Sequence, residues 1–245
     1  MAAQEGKQFK QFLQKFSCSK IPTVFNESSS SVVVSRSPES ERKILENGIL
    51  PDYIQHGLDI LVVGINPGFF SARERRYYAG PGNHFWKCLY QSKLIPEPVT
   101  WEHDSRLLEW NIGLTNICAR ATRGQADLSK DEIAQGAKIL VDKIKEFRPK
   151  IVVFNGKGIY EIFIGSKVTC LGRQESFIDG VEIFVIPSSS PRSSLYPTAE
   201  AKLPFYVSLK KLVDVLNSET PVDNKRFCFE IGATQGNSFK DGSES

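Results

Sequence analysis

Four short apolar runs in the chain are each followed by neutral polar residues. Three of the runs end next to an asparagine, at Asn66, Asn116 and Asn155, and the fourth runs into three serines, 188–190, with Arg192 close behind. An asparagine amide presents a donor and an acceptor together, which suits the edge of a nucleobase. A hydrolase that needs a strong general base would usually show a carboxylate or a histidine at such positions.

Each of these motifs also has an ordinary structural explanation. Asn-Pro-Gly at Asn66 and Asn-Gly at Asn155 are common turn formers. The spacing of Gly64 and Gly68 fits neither a dinucleotide-binding loop nor a phosphate-binding loop. The serines lack the Gly-x-Ser-x-Gly elbow of a serine nucleophile, and are better suited to holding phosphates through hydroxyls and backbone amides.

Seven cations follow the same four apolar runs, and they are Arg73, Arg75, Arg76, Arg120, Arg123, Lys157 and Arg192. If the runs are parallel strands, these cations lie on loops around one crevice and form a track for phosphates. The usual alternative for such charges is a solvated face. Tyr77 and Tyr78, in the first loop, could stack on a base.

The elements that must position these residues alternate between strand and helix. Strands are predicted at 58–64, 110–118, 151–154 and 182–186, and helices at 82–94, 129–148, 156–164 and in a closing segment to about 216 that starts or kinks at Pro204. The clearest helix begins with a capping box, Ser129 to Glu132. We predict an α/β fold, a three-layer α/β/α sandwich with a mostly parallel central sheet. The carboxyl ends of its strands would face one crevice.

The charge balance conceals a difference between the body of the chain and its end. The 245 residues carry 31 Lys and Arg against 28 Asp and Glu, a formal net charge of +3 that identifies no partner. Residues 217–245 hold five acids and three bases, so 1–216 carry +5. We predict a mobile N-terminal extension over 1–50, part of it helical, a catalytic domain over 51–216, and a disordered acidic tail over 217–245.

The cysteines and histidines give no sign of a metal or disulfide framework. Neither a C-x-x-C pair nor a metal-ligand spacing occurs among Cys18, Cys88, Cys118, Cys170, Cys228, His56, His84 and His103. Cys88 and Cys118 lie in apolar contexts and are predicted to be buried. We expect neither a metal nor a cofactor. No apolar run approaches the roughly 20 residues of a membrane span, so a soluble protein with no membrane partner is expected.

Five motifs occur in order along the chain, and they are GINPG at 64–68, GPGNHFWKCL at 80–89, LTN at 114–116, VFNGK at 153–157 with IYEIF at 159–163, and PSSS at 187–190. Together they resemble the mismatch-specific uracil/thymine DNA glycosylases, in particular the animal thymine DNA glycosylases. The resemblance covers about 58–216. It implies a uracil-DNA glycosylase-like fold and a monofunctional enzyme that flips uracil, and thymine as well, out of a pair with guanine. Hydrolysis of the N-glycosidic bond would leave an abasic site for base excision repair.

The resemblance also assigns roles to single residues. Asn66 matches the catalytic asparagine that positions the attacking water. The base pocket would be formed by Gly64, Ile65, Tyr78, Asn83, Asn116 and Ser188, with Thr122 a weaker match near Asn116. Arg192 matches the wedge, the side chain inserted into the gap that the flipped nucleotide leaves. The DNA phosphates would be contacted by Ser189, Ser190 and Lys157.

Five residues depart from the family pattern, and they are Tyr77, Ala79, Pro191 and the pair Phe69-Phe70. Tyr77 stands where vertebrate relatives have a histidine, and a bulky phenol there could exclude a pyrimidine 5-substituent. The expected partner is double-stranded DNA with a G·U or G·T mismatch, bound by a monomer in the nucleus, with abasic-site repair enzymes contacting the tails. A mismatch-binding scaffold without turnover is the alternative, and a nucleotide-phosphate hydrolase is a more remote one.

Overall fold

A computed structural model of the chain describes residues 49–175, 177–218 and 227–231. Its centre is a six-stranded sheet with the order β2-β1-β3-β5-β4-β6. The strands are Ile60–Gly64 (β1), Ile112–Asn116 (β2), Ile151–Asn155 (β3), Cys170–Arg173 (β4), Glu182–Ile186 (β5) and Cys228–Glu230 (β6). The predicted N-terminal extension, 1–50, lies almost wholly outside the described residues and stays a prediction.

The four strands predicted from the apolar runs form the parallel part of the sheet. β1 pairs in parallel with both β2 and β3, and β3 pairs in parallel with β5. All five residues of β1 and all five of β3 are buried, as is typical of parallel strands covered on both faces. β4 runs antiparallel to β5 and to β6. The prediction of a mostly parallel sheet within an α/β/α fold is confirmed.

Helices cover the sheet. The α-helices are Phe69–Glu74 (α1), Phe85–Gln91 (α2), Lys130–Phe147 (α3), Lys157–Ile164 (α4) and Ala199–Asn217 (α5), with 3₁₀ segments at Trp101–Trp110 and Gln125–Asp127. α4 contacts α3, β3 and β5, while α5 contacts α2, β4 and β5. The capping box of α3 is present, since Ser129 Oγ accepts from Glu132 N and the Glu132 carboxylate accepts from Ser129 N.

The closing helix α5 does not start at Pro204. It begins at Ala199, where the Thr198 hydroxyl caps it by accepting from Ala201 N, and Pro204 lies inside the helix. A start at the proline was therefore wrong, because the Thr198 cap, six residues earlier, satisfies a free amide of the first turn.

The expected disordered tail is wrong for the part of it that the structure describes. Phe227 is buried, and β6 adds to the sheet beside β4 with Phe229 packed on Phe205 at a ring distance of 4.5 Å. The aromatic residues of this short segment supply the apolar surface that holds it against the sheet. Residues 219–226 and 232–245 lie outside the described residues.

The strand order places a crevice between the carboxyl ends of β1 and β3. The chain moves from β1 to β2 in one direction across the sheet and from β2 over β1 to β3 in the other. Right-handed connections then put the helices of the two steps on opposite faces and leave a gap between them, where ligands bind in open α/β sheets. Gly64 and Asn155 end the two strands at this gap.

Candidate active site

A cavity of about 480 Å³ opens at the carboxyl ends of the strands. Ligand pockets for small molecules typically enclose roughly 300–1,000 Å³. Residues from all four predicted strand exits line the cavity, including Asn66, Asn116, Asn155 and the serines 188–190. The shared crevice expected from the sequence is present.

Asn66 is held in one orientation by its neighbours. Its Nδ2 donates to the backbone carbonyl of Arg120 at 2.9 Å and to Thr122 Oγ1 at 2.7 Å. Because a carbonyl oxygen can only accept, this contact fixes which end of the amide is nitrogen. Oδ1 is then the atom of the half-buried Asn66 side chain that can accept a hydrogen bond from a water in the cavity.

Gly64 makes room for Asn116. The two residues are paired across β1 and β2, and a Cβ atom on Gly64 would lie 2.3 Å from Asn116 Oδ1. Among the described residues, no hydrogen bond to the Asn116 side-chain amide is found. The amide is therefore available to a ligand, and Ile65 continues the same wall of the cavity.

Two tyrosines stand in different places around the cavity. The Tyr78 ring packs on Phe85 at 4.1 Å, and its hydroxyl lies 3.5 Å from where a Gly64 Cβ would be, with no hydrogen-bond partner among the described residues. Burial raises the pKa of Tyr78, and the nearby Asn155 amide lowers it in part. Tyr77 also lines the cavity but is only 2% exposed, and burial raises its pKa far above the ordinary value.

A buried carboxylate fixes this tyrosine turn, and the motifs in the sequence did not point to it. Asp104 is fully buried and accepts from Tyr77 N at 2.8 Å, Arg76 Nη1 at 2.7 Å and Tyr53 Oη at 3.1 Å. Tyr78, the next residue, has a positive φ of 48°. A residue in this left-handed conformation is strained, so its neighbours must hold it in place. Asp104 supplies one such restraint.

Both ends of the Asn155 amide are hydrogen-bonded to the serine loop. Its Oδ1 accepts from Ser189 N and its Nδ2 donates to Ser189 Oγ, both at 2.9 Å. Ser189 is only 2% exposed, so these two hydrogen bonds lie in the buried part of the loop. Ser188 and Ser190 are half-buried at the cavity, and Ser188 Oγ accepts from Ser190 N at 3.3 Å.

Asn83 and Arg192 complete the cavity lining at its mouth. Asn83 Oδ1 accepts from Phe85 N at 3.1 Å at the start of α2. Its Nδ2 remains a donor for the cavity. Arg192 is exposed, and its backbone amide donates to Ser190 Oγ at 3.2 Å. Lys157 is not among the lining residues and lies 3.4 Å from Glu161, one turn along α4.

The predicted track of seven cations is shorter than expected. Four of the seven are paired with carboxylates, namely Arg73 with Glu74, Arg76 with Asp104, Arg120 with Glu132 and Lys157 with Glu161. Among the described residues, Arg75, Arg123 and Arg192 have no carboxylate partner, and of these Arg123 and Arg192 line the cavity. At the cavity itself, Arg123 and Arg192 are therefore the described cations of the track that have no carboxylate partner.

A second buried charge lies behind the serine loop. Lys202 on α5 is 0% exposed, and its Nζ donates to Ser190 O at 2.9 Å and lies 2.8 Å from His84 Nδ1. Desolvation lowers the pKa of Lys202 and also that of His84, which Lys202 lowers further. Lys202 shares a helix face with the buried Ala199, Phe205, Tyr206 and Leu209, and this apolar spacing is the sequence signal that could have revealed it.

Metal-ligating side chains, cysteine thiols and membrane-spanning helices are the features that would indicate other kinds of protein in the described residues. No group of three or more His, Cys, Asp or Glu side chains there could hold a metal ion. Cys88 and Cys118 are buried as predicted, and burial raises the pKa of each thiol to about 11. Nor does any of the described helices combine the length and apolarity that crossing a membrane requires.

Comparison with known proteins identifies the family. The model of the uracil DNA glycosylase superfamily matches residues 51–212, so the chain belongs to that superfamily. The chain is also 38% identical over 157 residues to a protein of Schizosaccharomyces pombe named G/U mismatch-specific uracil DNA glycosylase. The match covers 60% of this chain and 48% of the relative, so it spans about half the relative's length. The expected membership among the uracil DNA glycosylases is confirmed by the superfamily match, and the relative's name agrees with the resemblance to the mismatch-specific branch.

A solved structure gives a weaker comparison. The solution NMR structure of a protein from Methanosarcina acetivorans, provisionally named a uracil DNA glycosylase, overlaps with a TM-score of 0.44 and 23% identity. The overlap covers 66% of this chain and 97% of the other.

Proposed function

We propose that the protein is a monofunctional DNA glycosylase that hydrolyses the N-glycosidic bond of uracil opposite guanine. The orientation of the Asn66 amide carries this proposal. With Nδ2 held by Arg120 and Thr122, Oδ1 of this cavity-lining residue is left as an acceptor for the attacking water. The superfamily match and the name of the yeast relative support the substrate class.

The remaining cavity residues fit the handling of an extruded base. Asn116 offers a donor and an acceptor to a pyrimidine edge, with Asn83 at the mouth and the Tyr78 ring as a stacking wall. The base leaves as an anion while the sugar gains positive charge. Asn66 is a weak base that orients water without strongly activating it, so we expect a slow and largely dissociative reaction.

DNA binding would depend on Arg192 and Arg123 at the cavity mouth. Extruding a nucleotide costs a few kcal/mol and least for a mismatched base, and an inserted Arg192 side chain would offset part of that cost. We extend the proposal to excision of thymine opposite guanine. We also propose that the protein acts as a monomer in nuclear base excision repair, with abasic-site repair enzymes as partners. These extensions rest on the motif resemblance.

A direct test incubates the protein with a G·U duplex and then cleaves abasic sites with alkali. We expect strand cleavage with the unaltered protein. Asn66→Ala should reduce the single-turnover rate by roughly 10²–10³-fold, by analogy with the loss of a positioned oxyanion-hole group. An uncut strand with intact binding would favour the scaffold alternative, and full activity of Asn66→Ala would remove the proposed role.

A base panel opposite guanine tests the extension to 5-substituted pyrimidines. It compares uracil, thymine, hydroxymethyluracil and formylcytosine under single-turnover conditions. The buried Tyr77 ring narrows the cavity, so we expect rates to fall from uracil to the bulkier bases. Equal rates for uracil and thymine would show that Tyr77 does not limit the 5-position.

A further inference from the structure

We propose that Lys202 is a positioning residue that holds the Arg192 loop in the conformation required for insertion into DNA. The loop, residues 187–193, joins the end of β5 to the segment before α5. The restraint on the loop is a property of the protein alone, whereas its consequence for excision rests on the function proposed above.

The ammonium group of Lys202 is buried among neutral acceptors. Its side chain is 0% exposed, and its described contacts are the Ser190 carbonyl and the His84 ring nitrogen, with no carboxylate paired to it. A buried charge without an opposite charge destabilises a fold, and apolar replacements at such positions are often neutral or stabilising. Packing therefore does not explain a lysine on this apolar helix face.

The contacts of Lys202 connect α5 to the serine loop and to the segment before α2. From α5, Nζ reaches Ser190 O at 2.9 Å, two residues before Arg192. The same carbonyl accepts from Ser193 N at 3.2 Å, while Arg192 N donates to Ser190 Oγ. These hydrogen bonds fix the loop on both sides of Arg192. Among the described residues, Lys202 is the only side chain outside the loop that donates to Ser190.

His84 extends the connection to the segment before α2. Its backbone amide donates to Ser189 O at 3.0 Å, and its Nδ1 lies 2.8 Å from Lys202 Nζ, which as an ammonium group can only donate. An imidazole accepts at Nδ1 only when that nitrogen is unprotonated, which agrees with the lowered pKa of His84. Lys202 on α5 and His84 in the segment before α2 therefore both hydrogen-bond to the serine loop.

The test compares Lys202→Met with Lys211→Met. Methionine matches the length of lysine but cannot donate, and Lys211 is an exposed lysine on the opposite side of α5. Hydrogen exchange of the free proteins should show faster exchange of the 187–193 amides in Lys202→Met only. Lys202→Gln keeps a hydrogen-bond donor and should give an exchange rate between those of the unaltered protein and Lys202→Met. It replaces Lys202→Met in the test if the methionine variant does not fold.

Activity assays then ask whether the restraint acts through Arg192. We expect Lys202→Met to slow excision from a G·U duplex about tenfold or more, and to change excision from single-stranded DNA by less than about twofold. In a double-mutant cycle with Arg192→Ala, the excision rate of the double variant should match that of Arg192→Ala alone, because both changes remove the insertion of Arg192.

The outcomes separate this inference from the proposed function. Unchanged exchange of 187–193 in Lys202→Met overturns the restraint, whether or not the protein is an enzyme. Equal losses on both substrates, or additive effects in the cycle, overturn the link to Arg192 while leaving the glycosylase in place. An inactive unaltered protein with faster loop exchange in Lys202→Met would instead refute the function alone.

Discussion

Asn66 Nδ2 lies 2.7 Å from Thr122 Oγ1, and that hydroxyl donates in turn to Gly124 O at 2.7 Å. The direction of the first hydrogen bond is settled by the second, because the hydroxyl proton is used on the carbonyl and only a lone pair faces Asn66. Thr122 is 3% exposed, so water does not readily replace it as the acceptor. The orientation of the candidate catalytic amide thus depends on a side chain behind it.

Thr122→Val should slow uracil excision while leaving the fold intact. Valine has the shape of threonine but cannot accept from Asn66, so the amide can rotate away from its active orientation. We expect a decrease of roughly 3–10-fold in single-turnover rate and a loss of about 1 kcal/mol in stability. Thr122→Ser restores the acceptor and should recover most of the rate. If valine and serine behave alike, Thr122 does not orient Asn66.

Gly64→Ala should impair base recognition. The added Cβ would overlap Asn116 Oδ1 at 2.3 Å and force that amide out of place. We expect excision to fall tenfold or more, as for a lost hydrogen bond to the substrate, and stability to fall by about 1–3 kcal/mol. Gly158→Ala is the matched control, since Gly158 lies on α4 outside the cavity lining and its Cβ would have nothing within 4 Å, and it should stay within about twofold of the unaltered protein.

Removing two tyrosine hydroxyls should have different effects on stability. Tyr78→Phe removes a buried hydroxyl without a described partner, so we expect an unchanged or raised melting temperature. Tyr53→Phe removes the hydrogen bond to the buried Asp104 carboxylate and should cost about 1–2 kcal/mol. Thermal unfolding measures both. An equal decrease in the two variants would show that the Tyr78 hydroxyl is hydrogen-bonded in the free protein.

The salt dependence of DNA binding should identify which cations meet phosphates. Arg123→Ala and Arg192→Ala should each reduce the slope of log K against log salt by about 0.9 if each residue contacts one phosphate. Lys167→Ala should leave the slope unchanged, because this lysine is 89% exposed and lies beyond the far end of α4. A slope unaffected by both arginine variants would place the phosphates elsewhere.

Acid should weaken the ion pair between Glu132 and Arg120, the residue whose backbone carbonyl accepts from Asn66. Hydrogen bonds from Arg120 and from the Ser129 backbone lower the pKa of Glu132 to about 2. Because this folded-state pKa lies below the ordinary value of 4.5, the stabilisation is complete above about pH 4.5 and is lost as the pH falls towards 2. Acid unfolding of Glu132→Gln should therefore differ from the unaltered protein near neutral pH and converge with it at low pH.

A control on the same helix separates this effect from general loss of charge. Glu146→Gln, on the exposed side of α3, should follow the unaltered protein across the whole range. A difference between Glu132→Gln and the unaltered protein that stays constant down to pH 2 would contradict the assigned cause.

The sequence predicts the parallel strands well because each is a short buried run with a simple signal. The strand at 182–186 coincides with the observed β5, and the others differ by one to two residues at their ends. The capping box at Ser129 and Glu132 likewise locates α3, since both hydrogen bonds are local. The shared crevice follows from the parallel order alone.

Other features depend on partners distant in sequence and are not predictable from local pattern. β4 and β6 have four and three residues, too few for a periodicity, and each is defined by pairing with a neighbour. The paired state of Arg76 depends on Asp104, 28 residues away, and the buried state of Lys202 depends on His84 and Ser190. A count of cations in the sequence therefore overstates the surface available to phosphates.

The strand β6 has a consequence for any shortened form of the protein. β6 covers the edge of β4, and Phe229 in β6 and the preceding Phe227 shield apolar surface that includes Phe205. A chain ending at 216 would keep every cavity-lining residue, yet would expose an unsatisfied strand edge beside bare aromatic rings. Such a fragment is open to strand addition from another copy, so self-association, rather than loss of the reaction chemistry, would be its first defect.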